Sequence, residues 1–294
     1  MIVVTGATGQ LGHIVVDKLL ARMDVSCIAV SVRDPAKAED LAARGVEVRV
    51  GDFADPAGLS AAFRGADQLL IVSANKLGDE ALRMHRSAIE AARDAGVGRI
   101  LYTSHMGARA GSPFGPADQH AATEATLAEH GVPWTALRHG FYAESCLFMV
   151  GYGLKSGDLR TPEDGPISWT ARADLAEADA AVLAAPGIYD GATPPLTATQ
   201  AITMADLAAI ATETTGRQIR HTIIGDDTWR EERIAAGMPP LAADMLLGTF
   251  RAARRGDFAV TSSVLAGLLG REPASMHDMV TAWSLANGAE AALS

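Results

Sequence analysis

Residues 3–16 read VVTGATGQLGHIVV, and the placing of Gly6, Gly9 and Gly12 between an apolar strand and an apolar-periodic helix decides the fold. β-Branched residues precede the turn, and Leu11, Val15 and Val16 follow at helical spacing, which predicts strand, turn and helix in that order. Glycine is needed where the chain turns sharply and where its backbone must come close to another group. The first N–H groups of the following helix have no partner within the helix and sit at its positive dipole end. The segment Gly6, Thr8, Gly9, Gln10, Leu11 and Gly12 is therefore the expected seat of a dinucleotide pyrophosphate. Three spaced glycines alone also fit an ordinary strand-to-helix turn; the strand before and the helix after favour the phosphate reading. A Walker loop is excluded, because no G-x-x-x-x-G-K-[ST] occurs.

Outward from this turn, strand-length apolar runs alternate with helix-periodic segments. IVV precedes a helix over 11–23, CIAVSV one over 36–43, VEVRV one over 56–63 and QLLIVSA one over 80–95; RILYTS, a helix over 117–129 and PWTALRHG follow. Strands apolar on both faces belong in a parallel sheet covered by helices, so the fold class is α/β, a Rossmann-type doubly wound parallel sheet. Beyond residue 150 the alternation weakens at GDLRTPEDGP and DGATPPL. Residues 1–150 are expected to form the dinucleotide-binding domain and 151–294 a smaller C-terminal α/β lobe over the substrate.

Hydrophobic residues make up 48% of the 294 and charged residues 20%, a globular balance without a membrane-length apolar run. The formal charge of −10 argues against a nucleic-acid partner. Arg251, Arg254 and Arg255 are the one basic cluster and read as a solvated helix face. Cys27 and Cys146 show no disulfide or metal spacing and read as buried thiols. The chain opens directly on strand residues, so no secretory signal is expected and a cytoplasmic location fits.

The end of the second strand chooses the cofactor, since an acid there serves a ribose 2′-OH and an Arg a 2′-phosphate. Arg33 comes first, with Lys37 four residues on, which favours NADPH. Asp34 would serve NADH, yet before Pro35 it also has a complete role as a helix N-cap. Asp52 and Phe53 are placed to flank the adenine, with helix capping an equal alternative for Asp52. Ser73 and Ala74 at the fourth strand's end, and Thr103 and Ser104 at the fifth's, are further candidate cofactor contacts.

TGATGQLG (5–12), VRDPAKA (32–38), GDFADPAGLSAAFRGAD (51–67), YTS (102–104) and LRHGFYAE (137–144) together resemble the NmrA-like group of atypical short-chain dehydrogenases, nearest to its bacterial NAD(P)H:quinone oxidoreductases. The resemblance implies reduction of a quinone by direct hydride transfer from NADPH without flavin, and leaves a homodimer as a possible assembly. It also places His139 and Phe141 beside the nicotinamide. The wider superfamily's Tyr-x-x-x-Lys pair is missing: motif matching puts Pro116 at the Tyr position and His120 at the Lys position. An NADP(H)-binding redox sensor with little catalysis is therefore the alternative.

A quinone is an undemanding hydride acceptor, so one donor and good positioning can suffice. His120, opening the helix after the fifth strand, is the candidate proton donor or ribose contact, against a plain helix-start role. Tyr142, in the turn after the sixth strand, is the second candidate catalytic group, and His105 falls at a comparable strand end. His85 reads as structural, and no His, Cys or carboxylate cluster has metal-site spacing.

Overall fold

The computed structural model describes residues 1–291. The chain divides into two compact units: unit 1 comprises Met1–Ala110, Pro116–His139 and Ala173–Pro194, and unit 2 comprises Gly111–Gly115, Gly140–Arg172 and Pro195–Ser294. This interleaved partition differs from a single cut after residue 150, because a helix and a short strand from residues 173–194 return to the sheet.

Unit 1 is built on a seven-stranded parallel sheet. Its strands are β1 (Ile2–Thr5), β2 (Ile28–Val32), β3 (Glu47–Val50), β4 (Gln68–Ile71), β5 (Arg99–His105), β6 (Trp134–His139) and, later in the chain, β10 (Gly191–Ala192). They lie in the order β10-β6-β5-β4-β1-β2-β3, so the direction of winding reverses beside β1. Register pairs Val3 with Ala29 and Leu69, Leu69 with Ile100, and Ile71 with Tyr102. These residues share one face and pack on Leu59 and Phe63 of α3 (Pro56–Phe63), Ala88 and Ile89 of α4 (Gly78–Asp94), and Leu127 of α5 (Gly115–Glu129). Full burial of each large apolar side chain contributes roughly 1.5–3 kcal/mol.

On the other face, α1 (Gln10–Leu20) buries Leu11, Val15, Val16 and Leu19 against β1 and β2. Helix α7 (Arg172–Ala184) is tied there by Glu177, which takes Lys18 Nζ at 2.9 Å and Arg22 Nη2 at 3.4 Å. The expected helix over 36–43 is a 3-10 turn, Pro35–Ala38, running into α2 (Glu39–Ala43). The six expected strands are present, and β10, two residues in a Gly- and Pro-rich stretch, is the one the alternation does not mark. Cys27, expected to be buried, ends a 3-10 turn before β2 and is exposed, whereas Cys146 is buried.

Unit 2 pairs β7 (Phe141–Tyr142) with β9 (Trp169–Thr170), and β8 (Asp158–Thr161) with β11 (Arg220–Ile223). Its helices are α6 (Ala143–Ser156), α8 (Met204–Thr215), α9 (Asp226–Ala235), α10 (Pro240–Arg254), α11 (Val264–Leu269) and α12 (Met276–Ala291). Helix α8 opens with a capping box between Thr203 and Asp206. Arg251 and Arg254, read as solvated, both reach Asp226 at 2.9 Å and lock α10 to the start of α9. Arg254 beside Asp226 holds that carboxyl below the usual range.

Candidate functional site

Gly6 adopts φ +62°, and a Cβ there would press on Val72 at 3.1 Å. Its carbonyl accepts from Gly9 N–H at 2.9 Å, while Gly9 O accepts from His13 N–H at 3.0 Å. A Cβ on Gly12 would overlap the Gly6 carbonyl, so the third glycine lets α1 start directly against the turn. At Gly9 only Gly6 O lies within reach of an added Cβ, at 3.2 Å, and the residue faces solvent. Gly9 caps α1 with no side-chain hydrogen bond, and no acid occupies the first turn. The helix start is thus open to an anion. Thr8 and Gln10 are exposed around it; Leu11 is buried, so only its backbone faces the turn.

Arg33 follows β2 directly and is exposed, and no other described residue engages its guanidinium. Lys37 Nζ stands 4.0 Å from Asp34 Oδ2. Asp34 accepts from Ala36 N–H at 3.2 Å and caps the 3-10 turn, the structural role its Asp-Pro context predicts. Asp52 Oδ1 accepts from Ala54 N–H at 3.0 Å, so it closes its own turn instead of capping α3. Phe53 is half-buried against the sheet core.

Three residues read as cofactor contacts have buried side chains with hydrogen-bond partners inside unit 1. Thr103, 1% exposed, accepts from Ser73 N–H at 2.8 Å and braces the ends of β4 and β5. Ser104, 4% exposed, donates to Glu124 at 2.6 Å, and Glu124 also takes the Arg138 fork at 3.0 and 2.6 Å. His139 is 1% exposed with Nε2 2.7 Å from Asp179 Oδ1. Strand-end position suggests ligand contact for Thr103 and Ser104, and the family resemblance for His139; α5 supplies Glu124, α7 supplies Asp179 and the turn after β4 supplies Ser73, and sequence spacing reports none of these long-range partners.

Two imidazoles, His85 and His120, flank the Tyr102 hydroxyl. His85, placed as structural by its mid-helix position, accepts from Ala74 N–H through Nε2 at 2.9 Å. A backbone amide can only donate, so His85 carries its proton on Nδ1, facing Thr123 Oγ1 at 3.0 Å and Tyr102 Oη at 3.5 Å. Thr123 sends its own proton to Gln119 O at 3.0 Å. Tyr102, fully buried, has His120 Nδ1 2.7 Å from its hydroxyl. His105 accepts from Gly107 N–H through Nδ1 at 3.0 Å and stacks on His120 with ring centres 6.1 Å apart.

Burial lowers His85 to about 4. Burial, then the nearby His139, lowers His105 to about 3. Burial first, then His105, His85 and His139, hold His120 well below the ordinary imidazole range. All three are neutral at neutral pH. The tyrosine at this centre gives no signal in the sequence, because no Lys follows four positions on; its partners come from α4 and α5.

In unit 2, Phe141 sits among Phe114, Trp169 and Phe258 with ring centres 5.1, 4.9 and 5.4 Å away. The Arg172 guanidinium lies 4.9 Å over the Tyr142 ring. Trp229 is buried against Phe250. Among the described residues no group of His, Cys, Asp and Glu could hold a metal ion, and no helix is long and apolar enough to cross a membrane.

A parallel sheet of this order, with an open glycine-capped helix start at the reversal of winding, defines a dinucleotide-binding α/β protein. The chain belongs to the NAD(P)H-binding, NmrA-like family: the family model described as NAD(P)H-binding matches residues 6–186, more than half of the chain. Quinone oxidoreductase 2 of Escherichia coli is 37% identical over 282 residues, covering 96% of this chain and 98% of its own. An NmrA-like family domain-containing oxidoreductase of Aspergillus flavus is 31% identical over 287 residues, 94% and 92% of the two chains. The crystal structure of an NADPH-dependent quinone oxidoreductase from Escherichia coli, complexed with NADPH, superposes with TM-score 0.91 at 36% identity, over 96% of this chain and 99% of that one.

Proposed function

We propose that the chain is an NADPH-dependent oxidoreductase that reduces a quinone by direct hydride transfer, without flavin. The observation that carries this reading is the open start of α1 beside β1 together with the unengaged, exposed Arg33 at the end of β2. The first suits a pyrophosphate and the second a 2′-phosphate, with Lys37 adding charge at the same place. The quinone comes from the relatives' activity. In this reading Gly6, Thr8, Gly9, Gln10, Leu11 and Gly12 hold the pyrophosphate, Phe53 lies along the adenine, Ser73 and Ala74 line the ribose, and His120 presents its free edge to the acceptor.

Bound NADPH would supply the hydride, leaving the protein to orient the acceptor and provide one proton. The test is NADPH oxidation with a panel of benzoquinones, beside NADPH binding measured by fluorescence. Turnover is expected and should fall in His120→Ala. Tight NADPH binding with no turnover on any quinone would overturn the reductase reading and leave the redox-sensor alternative. Tyr142→Phe asks separately whether that hydroxyl is catalytic. Light scattering tests for a homodimer.

A further inference from the structure

We propose that Tyr102 holds the proton taken up by the reduced quinone and delivers it through His120, whose ring is a neutral bridge between a buried phenol and the acceptor oxygen. The inference rests on the quinone-reductase reading above and goes beyond it to a positioning residue that acts through another.

The direction of the hydrogen bonds carries the argument. Ala74 N–H fixes the His85 proton on Nδ1, where Thr123 Oγ1 at 3.0 Å is its nearer acceptor and Tyr102 Oη lies at 3.5 Å. His85 Nδ1, being protonated, cannot accept from Tyr102, so of the two ring nitrogens beside the phenol it is His120 Nδ1, 2.7 Å away, that takes its hydrogen. His120 then carries its single proton on Nε2, the far edge of the ring. The side chain is half-buried, unlike the sealed Tyr102, so that edge is the end of the network nearest a ligand. The protons of Tyr102 and His120 thus point one way, from the phenol to the far edge of the ring.

A quinone that has received a hydride is a hydroquinone monoanion, two electrons richer and short of one proton on oxygen. His120 Nε2–H gives its proton to that oxygen as Nδ1 takes the proton of Tyr102, whose O–H bond breaks. The imidazole changes tautomer and never becomes charged, as its strongly lowered basicity requires. Tyr102 becomes a phenolate, with His85 Nδ1 3.5 Å away. After product leaves, a solvent proton enters at Nε2 and the relay runs back, giving a net uptake of one proton per turnover.

Two readouts test this. In cofactor-free protein labelled with ¹⁵N-histidine, His120 should show a single Nε2–H tautomer, and Tyr102→Phe should release it into a mixture. With a benzoquinone at saturating NADPH, Tyr102→Phe should lower kcat by about 10- to 100-fold, leave NADPH affinity unchanged and alter the solvent deuterium isotope effect. Combining Tyr102→Phe with His120→Gln should be no slower than His120→Gln alone, since both changes cut one path. A His120 tautomer indifferent to Tyr102→Phe, or an unchanged kcat and isotope effect, overturns the relay while the reductase reading stands. Absence of quinone turnover in the wild type overturns the reading itself.

Discussion

His139 Nε2 and Asp179 Oδ1 lie 2.7 Å apart with side chains 1% and 0% exposed, joining the end of β6 to α7 inside unit 1. Removing one member of a buried pair leaves the other desolvated, typically at about 3–5 kcal/mol. Asp179→Ala should therefore destabilise by about that amount in urea unfolding, whereas Asp179→Asn, which keeps shape and an acceptor, should cost only about 1–2 kcal/mol. Equal losses in the two variants would mean that packing, and not the pairing, holds this junction.

Gly9 and Gly12 separate binding from folding. A Cβ on Gly12 collides with the Gly6 carbonyl, so Gly12→Ala should cost about 1–3 kcal/mol of stability and weaken cofactor binding with it. A Cβ on Gly9 meets only Gly6 O, at 3.2 Å, and projects where the pyrophosphate is proposed to lie. Gly9→Ala should unfold close to wild type yet bind NADPH at least tenfold more weakly, about 1.4 kcal/mol. Unimpaired NADPH binding by Gly9→Ala would move the phosphate site elsewhere.

Arg33 has no internal work to lose. Arg33→Ser should leave stability and NADH affinity untouched and weaken NADPH by roughly 10- to 100-fold, the worth of one charge-assisted contact of about 1.5–3 kcal/mol. Lys37→Ala should have a smaller effect of the same kind. Parallel isothermal titrations with the two cofactors decide it, and equal losses for both would contradict the 2′-phosphate assignment.

The buried imidazoles set an acid limit. In the unfolded chain they take protons near 6.5, while burial holds folded His85 at about 4 and His105 at about 3. Between those values the unfolded state binds more protons, so stability falls as pH drops below about 6.5, by roughly 1.4 kcal/mol per pH unit for each imidazole. Urea midpoints should decline steadily on acidification towards about pH 4, and His85→Gln should flatten the slope. A midpoint flat across that window would show the rings already charged in the fold.

Local chemistry is the legible part of this chain. The Asp34 cap depends on residues two apart, and the glycine turn on a strand and helix that flank it directly, so spacing alone reveals both. Thr103, Ser104 and His139 show the limit of that legibility: each is buried on a partner from elsewhere in the chain, Ser73, Glu124 and Asp179, which spacing does not report. His85 and Tyr102 carry no message singly, one being mid-helix and the other lacking a lysine, because their meaning exists only once α4 and α5 cover β5. The two-residue β10 is too short to carry any periodicity, and Cys27 reads as part of β2 only because the apolar run that forms the strand begins one residue later.

The return of residues 173–194 to the nucleotide-binding sheet governs the order in which this protein can be made. While the ribosome has released only the first 150 residues, β6 is a bare edge with open N–H and C=O groups, and neither the Glu177 clamp on α1 nor the carboxylate for His139 has emerged. The nascent sheet waits for roughly a further forty residues before it can close, a long exposure for apolar parallel strands during synthesis at about 5–20 residues per second. The same dependence denies β6 its β10 partner, and His139 its carboxylate, in any fragment that stops at the apparent domain boundary.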